Sequence, residues 1–598
     1  MNYMKIYGSK VFVRIPEEKR KSKFDKKAEL GILLGYTDVG YRVLIGGKVI
    51  VARHVDIIEE DVNCIGFENE KEHQNEEICN EEGQSNLEDE ETNEDDSIKL
   101  PENSYKENRP KRNIKPPKRF DDEFGYYCIL VNHCDAMIPD NFQEAISCDE
   151  AKQWINAMDS EMDSLVKNNT WVKVSKPNDK KALDVKWVYR KKSEDTYKAR
   201  LVVRGFQQTD NIDNTYSPVA RMQTLKLLLS YCCKNSVDVH QMDVETAFLN
   251  GRILSEVYVK QPLGYEDGSD NVYKLEKSLY GLKESPRAWY ECFNEYIETL
   301  GFRRSDYDYC LYVKSEKDVK IYILLFVDDL LICCINKQII EQTKNKLCNK
   351  FKMKDMGKVK NYIGIEIEYE YKGDCSKMTL SQKTYIESLT KRYKIENSKL
   401  YKTPMEINLK LTKSESNEDV KYRNLIGALL YISTGTRPDI SFSVNYLSRF
   451  QNCYNDTHFQ YALRVLKYLY LTKDLKLTYY NNSDCNILDC FVDADWAGDI
   501  VDRKSTSGYV IRLFGNVIYW KSRKQSSVTK SSTFAEYVAL SEAVTEINFL
   551  RCIINDVFVK VDQPTKIYED NSGTLAIAKY GNFTKNSKHI EVHYHYNF

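Results

Sequence analysis

A chain of 598 residues with 42% hydrophobic and 12% aromatic content is long enough for several folded domains. Its formal net charge of −2 excludes a protein that binds nucleic acid through bulk basic charge. The 17 cysteines include no CxxC pair, which excludes a disulfide framework or such a zinc site and favours free thiols in a reducing compartment. No segment reaches the run of about 20 apolar residues that a membrane-spanning helix needs.

The first residues predict a small all-β module followed by a linker of two opposite charges. Residues 1–60 alternate apolar and polar positions in short runs such as "KVFVRI". Residues 59–98 hold 17 Asp or Glu against one Lys, so we expect the 61–137 linker to begin as a disordered acidic segment. The basic segment 105–120 is either a nucleic-acid contact, a nuclear-import signal or a solvated linker.

From about residue 138 the patterns become those of a folded protein. Apolar residues recur at threes and fours through "NFQEAISCDEAKQWINAMDSEMDSLVKNNTW", which predicts helix across 141–171. The segments "VKWVYRKK" and "YKARLVVRGF" then predict two strands with basic residues between their apolar positions.

A pair of adjacent acids lies between two apolar runs in "YILLFVDDLLICC", residues 322–334. We expect a β-hairpin with Asp328 and Asp329 at its tight turn. Asp243 ends another alternating run, "VHQMDV". Paired acids also occur in ordinary turns, but two like charges at the end of a buried strand suggest a bound cation, and carboxylates are the ligands that Mg²⁺ prefers.

These motifs resemble a known family. "QMDVETAFLNG" and "FVDDL" resemble the two catalytic motifs of reverse transcriptases. "YKARLVVRGFQQ", "YSPVARMQTLKLLLS" and "KSLYGLKESPRAWY" are similar to the copia-type reverse transcriptase of LTR retrotransposons. The resemblance implies fingers, palm and thumb over 138–395 and a thumb or connection region over 396–486. It also implies RNA-directed DNA synthesis with an RNA template, a primer, dNTPs and two Mg²⁺ ions, held by three acids: Asp243, Asp328 and Asp329.

The same resemblance assigns neighbouring residues to nucleotide binding. Phe248 stands where the family has an aromatic gate against the ribose 2′-OH. Lys198 and Arg200 resemble residues of the fingers that grip the triphosphate, and "KNYIGIEI", 360–367, resembles the primer-grip hairpin. Glu284 occupies the place of a family Gln that contacts the incoming nucleotide, so the sequence departs from the family there.

A second set of acids comes near the end of the chain. One lies on a predicted strand, one a turn into a helix and one at a strand end before a helix: Asp493, Glu536 and Asp570. This order resembles a copia-type ribonuclease H over 487–598, which implies two further Mg²⁺ ions and cleavage of an RNA–DNA hybrid. Glu591 is the candidate fourth acid in a last helix that we expect to be shortened. Asp495 and Asp499 are expected on the loop side.

Together these features predict an α+β protein with a small N-terminal β module, a polymerase and a ribonuclease H-like α/β domain. Residues 1–60 resemble the module after the integrase core, so we expect a truncated Pol fragment without integration activity. The resemblance also implies a cytoplasmic virus-like particle, with nuclear entry left open. The alternative is a catalytically decayed remnant that only binds nucleic acid. The oligomeric state stays open.

Overall fold

The chain is described by a computed structural model, which covers part of the N-terminal module and most of the remainder. The described residues are 10–14, 28–37, 40–45, 48–52, 55–58 and 138–580, the last range without 194–195, 209–214, 317, 373–374, 415–420 and 482–485. The predicted linker and Glu591 lie outside these residues. The chain forms two compact units, 1–113 and 114–598, and each is described by itself. Across the described helices, none combines the length and apolar character needed to cross a bilayer.

The N-terminal unit contains a five-stranded antiparallel sheet in the order β4-β3-β2-β1-β5. Its strands are β1 Lys10–Arg14, β2 Ala28–Thr37, β3 Gly40–Ile45, β4 Lys48–Ala52 and β5 Val55–Ile58. Val11 and Val43 are fully buried between the strands, as the alternating pattern requires. The prediction of a small all-β module is confirmed.

The second unit begins with a helix packed on a β-hairpin. The predicted helical segment is confirmed as two helices, because the chain breaks after Ser147 into α1 (Phe142–Ser147) and α2 (Ala151–Lys167). Trp154 and Leu165 of α2 are fully buried, and α2 packs on the two-stranded sheet of β7 (Val185–Ser193) and β8 (Thr196–Val203). Beside them lies a three-stranded sheet: β6 (Trp171–Val174), β10 (Tyr258–Val259) and β11 (Val272–Leu275).

A six-stranded antiparallel sheet forms the centre of this unit, in the order β12-β13-β14-β15-β9-β16. Its strands are β9 Asp238–Val244, β12 Arg303–Arg304, β13 Leu311–Glu316, β14 Val319–Phe326, β15 Asp329–Cys334 and β16 Met353–Lys358. Three helices accompany it: α3 Met222–Lys234, α4 Ser285–Thr299 and α5 Lys337–Lys350. Because β14 and β15 are buried on both faces, their apolar runs are nearly continuous.

A smaller sheet and a helical layer follow. The sheet joins β17 (Asn361–Tyr362), β18 (Ile365–Lys372), β19 (Cys375–Ser381) and β20 (Leu477–Tyr480). The predicted 360–367 hairpin is present, with Ile363 and Gly364 at positive φ in its turn. The helices share one apolar core: α6 Lys383–Arg392, α7 Lys421–Gly435, α8 Ser441–Ser448 and α9 Asp456–Leu471.

The last block is a four-stranded sheet in the order β23-β22-β21-β24. It contains β21 Leu488–Ala494, β22 Thr506–Leu513, β23 Asn516–Lys524 and β24 Lys566–Tyr568, with helices α10 Ser532–Ile553 and α11 Ser572–Tyr580. Its core is continuous with that of the central sheet. Phe558 lies at this junction, since its ring lies 5.0 Å from that of Tyr322 and 4.8 Å from that of Tyr231.

Candidate active sites

The first acidic cluster consists of Asp243, Asp328 and Asp329, at the end of the central sheet. Asp329 pairs with Asp243 across β15 and β9, so their side chains leave the same face with Cβ atoms about 5 Å apart. Asp328 occupies the two-residue turn with Val327, which has φ +57°. The backbone N–H of Val244 donates to Asp328 O at 2.8 Å and fixes the turn against β9. Asp329 therefore begins a strand, whereas the sequence placed it in the turn.

Neighbouring side chains hold this turn in place. Trp289, 1% exposed, donates from Nε1 to Val327 O at 2.6 Å. Gln241 Nε2 donates to Asp329 Oδ1 at 3.1 Å. Burial raises the pKa of the Asp328 carboxyl, Arg200 lowers it and nearby Asp243 raises it further. Like charges are thus held together before any cation is bound.

A cationic face of the β7–β8 hairpin lies within electrostatic range of these acids. In the strand register Arg190 pairs with Lys198 and Val188 pairs with Arg200, so these three cations project from one face, on which Lys186 also lies. The opposite face carries Trp187 and Leu201, which are buried. The pKa of Arg190 is lowered, because burial and the like charge of Arg200 outweigh the opposing charge of Asp328. Sequence reasoning missed Arg190, although counting back across the hairpin from Lys198 would have found it.

The predicted gate residue lies directly after the first cluster's strand. Phe248 belongs to a short 3₁₀ turn, Ala247–Asn250, that follows β9. Its ring packs edge-on against Tyr280 with centroids 4.8 Å apart. Phe248 also lines a cavity of about 310 Å³ together with the 215–219 segment, Trp289 and Val327. A planar group entering this cavity beside the Val327–Asp328 turn would meet the Phe248 ring.

Glu284 occupies a different environment from the cationic face. It directly precedes α4, and its carboxylate accepts a hydrogen bond from Ser255 Oγ. A carboxylate at a helix N-terminus is electrostatically favourable. Its role in nucleotide binding stays a prediction.

The second acidic cluster lies where β21 and β24 end. These strands are parallel, with Phe491 opposite Tyr568, so Asp493 and Asp570 emerge at the same edge of the sheet. Glu536, 6% exposed, points to this edge from the first turns of α10. Ser531 caps that helix by accepting from Phe534 N at 3.1 Å.

A fourth member, Glu569, was missed by sequence reasoning. Ligand oxygens of Glu536, Glu569 and Asp570 lie within 4.8 Å of one another. Oε2 of Glu536 and Oε2 of Glu569 are both buried without a hydrogen-bond partner. Burial first, and then Glu569, Asp493 and Asp570, raise the pKa of Glu536 to about 8. Hard oxygen donors with unmatched negative charge fit a divalent cation such as Mg²⁺.

Two other acids near Asp493 are occupied elsewhere. Asp499 accepts from Arg449 Nη1 and Lys524 Nζ, each at 2.9 Å. Asp495 accepts from the backbone N–H of Thr506. Both therefore serve the loop that follows β21, where the sequence placed them.

Comparison with known proteins gives these sites a family context. A family model described as reverse transcriptase (RNA-dependent DNA polymerase) matches residues 168–407, which include the first cluster and the cationic face. Another, described as a retroviral polymerase SH3-like domain, matches residues 9–69.

Several full-length proteins are also similar to this chain. The retrovirus-related Pol polyprotein from transposon TNT 1-94 of Nicotiana tabacum is 32% identical across 100% of this chain and 48% of its own length. The corresponding polyprotein from transposon RE1 of Arabidopsis thaliana is 34% identical across 76% of this chain and 31% of its own length. A putative Ty5-1 transposon protein of Saccharomyces cerevisiae is 39% identical across 51% of this chain and 100% of its own length. The chain thus spans about a third to a half of the plant polyproteins that it matches.

Proposed function

We propose that this chain, which belongs to the copia-type retrotransposon Pol polyproteins and carries their reverse transcriptase domain, is an RNA-directed DNA polymerase with an added ribonuclease H activity. The observation that supports the polymerase most directly is the meeting of Asp243, Asp328 and Asp329 at one sheet edge, within electrostatic range of a cationic hairpin face. Its partners would be an RNA template, a primer and dNTPs.

In this proposal the first cluster holds two Mg²⁺ ions and the hairpin face holds the triphosphate. When bound, the ions neutralise the charge that develops on the attacking and leaving oxygens. Asp243 and Asp328 would be the principal ligands, and Asp329 would complete the set from the adjoining strand. Lys198, Arg200 and Arg190 face the phosphates, where the planar guanidinium of arginine matches phosphate oxygens. Phe248 excludes a ribose 2′-OH by occupying its space.

The second cluster supports a separate hydrolytic activity on the RNA strand of an RNA–DNA hybrid. Asp493, Glu536, Glu569 and Asp570 offer carboxylates at one edge, and two buried oxygens among them have no hydrogen-bond partner. These carboxylates would hold divalent cations, which would supply an activated water at neutral pH. The order strand acid, helix acid, strand-end acid agrees with the ribonuclease H resemblance.

Primer extension on an RNA template with dNTPs and Mg²⁺ tests the polymerase. We expect Asp328→Asn to abolish extension, because one metal ligand is lost. Asp318→Asn is the matched control, since Asp318 lies at the opposite end of β14, is exposed and has φ +65°, which Asn tolerates. Folded wild type that binds primer–template without extending it would favour the decayed remnant.

Cleavage of a labelled RNA–DNA hybrid tests the second site. We expect Asp493→Asn to abolish cleavage and leave extension intact, with Asp562→Asn as the control because that side chain is 70% exposed. Loss of both activities in each mutant would refute two independent sites.

We further propose that the protein acts in cytoplasmic particles, with 105–120 as the candidate nuclear-import signal. Imaging of a tagged chain, with the basic residues of that segment changed to Ala, tests this location.

A further inference from the structure

We infer that Tyr280 is a positioning residue that sets the selectivity for deoxynucleotides by holding Arg200 and Phe248 in one fixed arrangement. The inference rests on the proposed polymerase function and goes beyond it, because Tyr280 belongs to neither the acidic cluster nor the cationic face. We call the segment Ser278–Gly281 the bracket.

The Tyr280 ring contacts both groups at once. The Phe248 centroid lies 4.8 Å from that of Tyr280, with the two ring planes at 70°. The guanidinium carbon of Arg200 lies 4.7 Å from the Tyr280 centroid. One half-buried side chain thus connects the group that faces the triphosphate with the group that faces the sugar.

The bracket is attached by its backbone to the strand that carries Arg200. Val203, three residues after Arg200 on β8, donates its N–H to Tyr280 O at 2.8 Å. The adjacent Gly281 has φ +94°, and a Cβ there would lie 2.1 Å from Val203 O. The two chain segments therefore touch at a separation that only glycine permits.

The other end of the bracket is attached to the turn that carries Phe248. Ser278 is fully buried, and its Oγ donates to Phe248 O. Its N–H donates to Gly251 O at 2.9 Å. The bracket thus joins the 3₁₀ turn after β9 to the hairpin β7–β8, so a shift of either one displaces the other.

This connection has a consequence for substrate choice. A gate excludes a 2′-OH only while its ring stays in place, and Tyr280 is the aromatic partner against which Phe248 packs. Arg200 likewise loses a flat surface that limits its rotamers if the Tyr280 ring is removed. Aromatic and cation–π contacts of this kind each account for about 3- to 10-fold in an equilibrium.

The test measures single-nucleotide incorporation of a dNTP and of the matching rNTP on an RNA template with Mg²⁺. For Tyr280→Leu we expect the KM for dNTP to rise about 3- to 10-fold, and the dNTP-over-rNTP ratio of kcat/KM to fall by a similar factor, with kcat within about 3-fold of wild type. Tyr280→Phe keeps the ring and should match wild type in both. Tyr273→Leu is the control for a lost aromatic contact, because Tyr273 stacks on Trp171 at 4.5 Å in another sheet.

Ser278→Ala provides a second variant in case Tyr280→Leu does not fold. It removes the contact to Phe248 O but leaves Arg200 against its ring, so selectivity should fall while the KM for dNTP holds. Unchanged selectivity in folded Tyr280→Leu overturns the inference, and so does a Tyr280→Phe as defective as Tyr280→Leu. If Tyr280→Leu is unfolded, unchanged selectivity in Ser278→Ala overturns it instead. A wild type that does not extend the primer is a different result, since it refutes the polymerase proposal on which the inference rests.

Discussion

Removing the charge of Glu536 should stabilise the protein when no metal is present. Burial and three neighbouring acids raise the pKa of Glu536 to about 8, against 4.5 for an ordinary glutamate. Because the folded state holds the proton more tightly than the unfolded state, ionisation opposes folding. The penalty is absent below about pH 4.5, grows as the pH rises and is complete above about pH 8.

The size of the effect follows from the two pKa values. At about 1.36 kcal/mol for each pH unit between them, the full penalty is about 3–5 kcal/mol. Glu536→Gln keeps the shape and removes the charge, so it should gain most of this free energy at pH 8. A cooperative unit of more than 400 residues shifts its Tm by about 1 °C per kcal/mol, so we expect an increase of about 3–5 °C.

Thermal unfolding in EDTA between pH 5 and pH 9 measures this. The difference between variant and wild type should be small at pH 5 and largest at pH 8–9. Added Mg²⁺ should raise the Tm of the wild type more than that of Glu536→Gln, in which only the first cluster keeps all its acids. Glu546→Gln is the matched control, since Glu546 lies on the same helix, pairs with Lys521 at 3.7 Å and is remote from the cluster in sequence. A variant that is less stable than wild type at pH 8 in EDTA would refute the reasoning.

Three further changes test other parts of the structure. For Glu569→Gln, the Mg²⁺ concentration needed for half of the rise in Tm should increase about 10-fold. Primer extension should not change, because the Glu569 carboxylate belongs to the second cluster alone. Trp289→Phe removes the hydrogen bond to Val327 O and should slow extension about 10-fold, with primer–template affinity, measured by fluorescence anisotropy, unchanged. Phe558→Ala removes two ring contacts at the junction of the cores and should destabilise the protein by about 3–5 kcal/mol in urea unfolding, with Phe442→Ala, an exposed ring, as control.

The helices and strands around both clusters could be predicted from the sequence. The errors fall at positions where turn preferences and strand alternation do not decide the conformation. The alternating runs predicted the hairpin of β14 and β15, but the turn begins at Val327, a β-branched residue at φ +57° that no turn pattern favours. Asp329 consequently lies in β15 and not in the turn. Glu569 was missed because strand alternation places it opposite Asp570, yet β24 ends at Tyr568 and the alternation ends with it.

The remaining misses concern distant packing. No proline or glycine marks the break after Ser147 in the sequence. The preceding helix begins at its N-cap Asn141, whose side chain accepts from Glu144 N. Phe558 is one of the residues that join the last sheet to the central core, yet in the sequence it follows a long apolar helix and resembles any other core aromatic. Contacts between segments more than 200 residues apart leave no local signal.

The two acidic clusters differ in how the protein itself offsets their repulsion. At the first cluster, Arg200 and Lys198 lower the pKa of Asp328 against the effects of burial and Asp243. At the second cluster, burial and three acids together raise the pKa of Glu536, and a backbone hydrogen bond from Ala494 opposes them. A cation that binds the second cluster would therefore displace a proton near neutral pH, whereas the charge of the first cluster is partly neutralised by the side chains that we propose face the triphosphate. Arg200 and Lys198 thus offset the negative charge of the first cluster and are also its proposed substrate contacts, whereas the second cluster would need a bound metal ion to offset its charge.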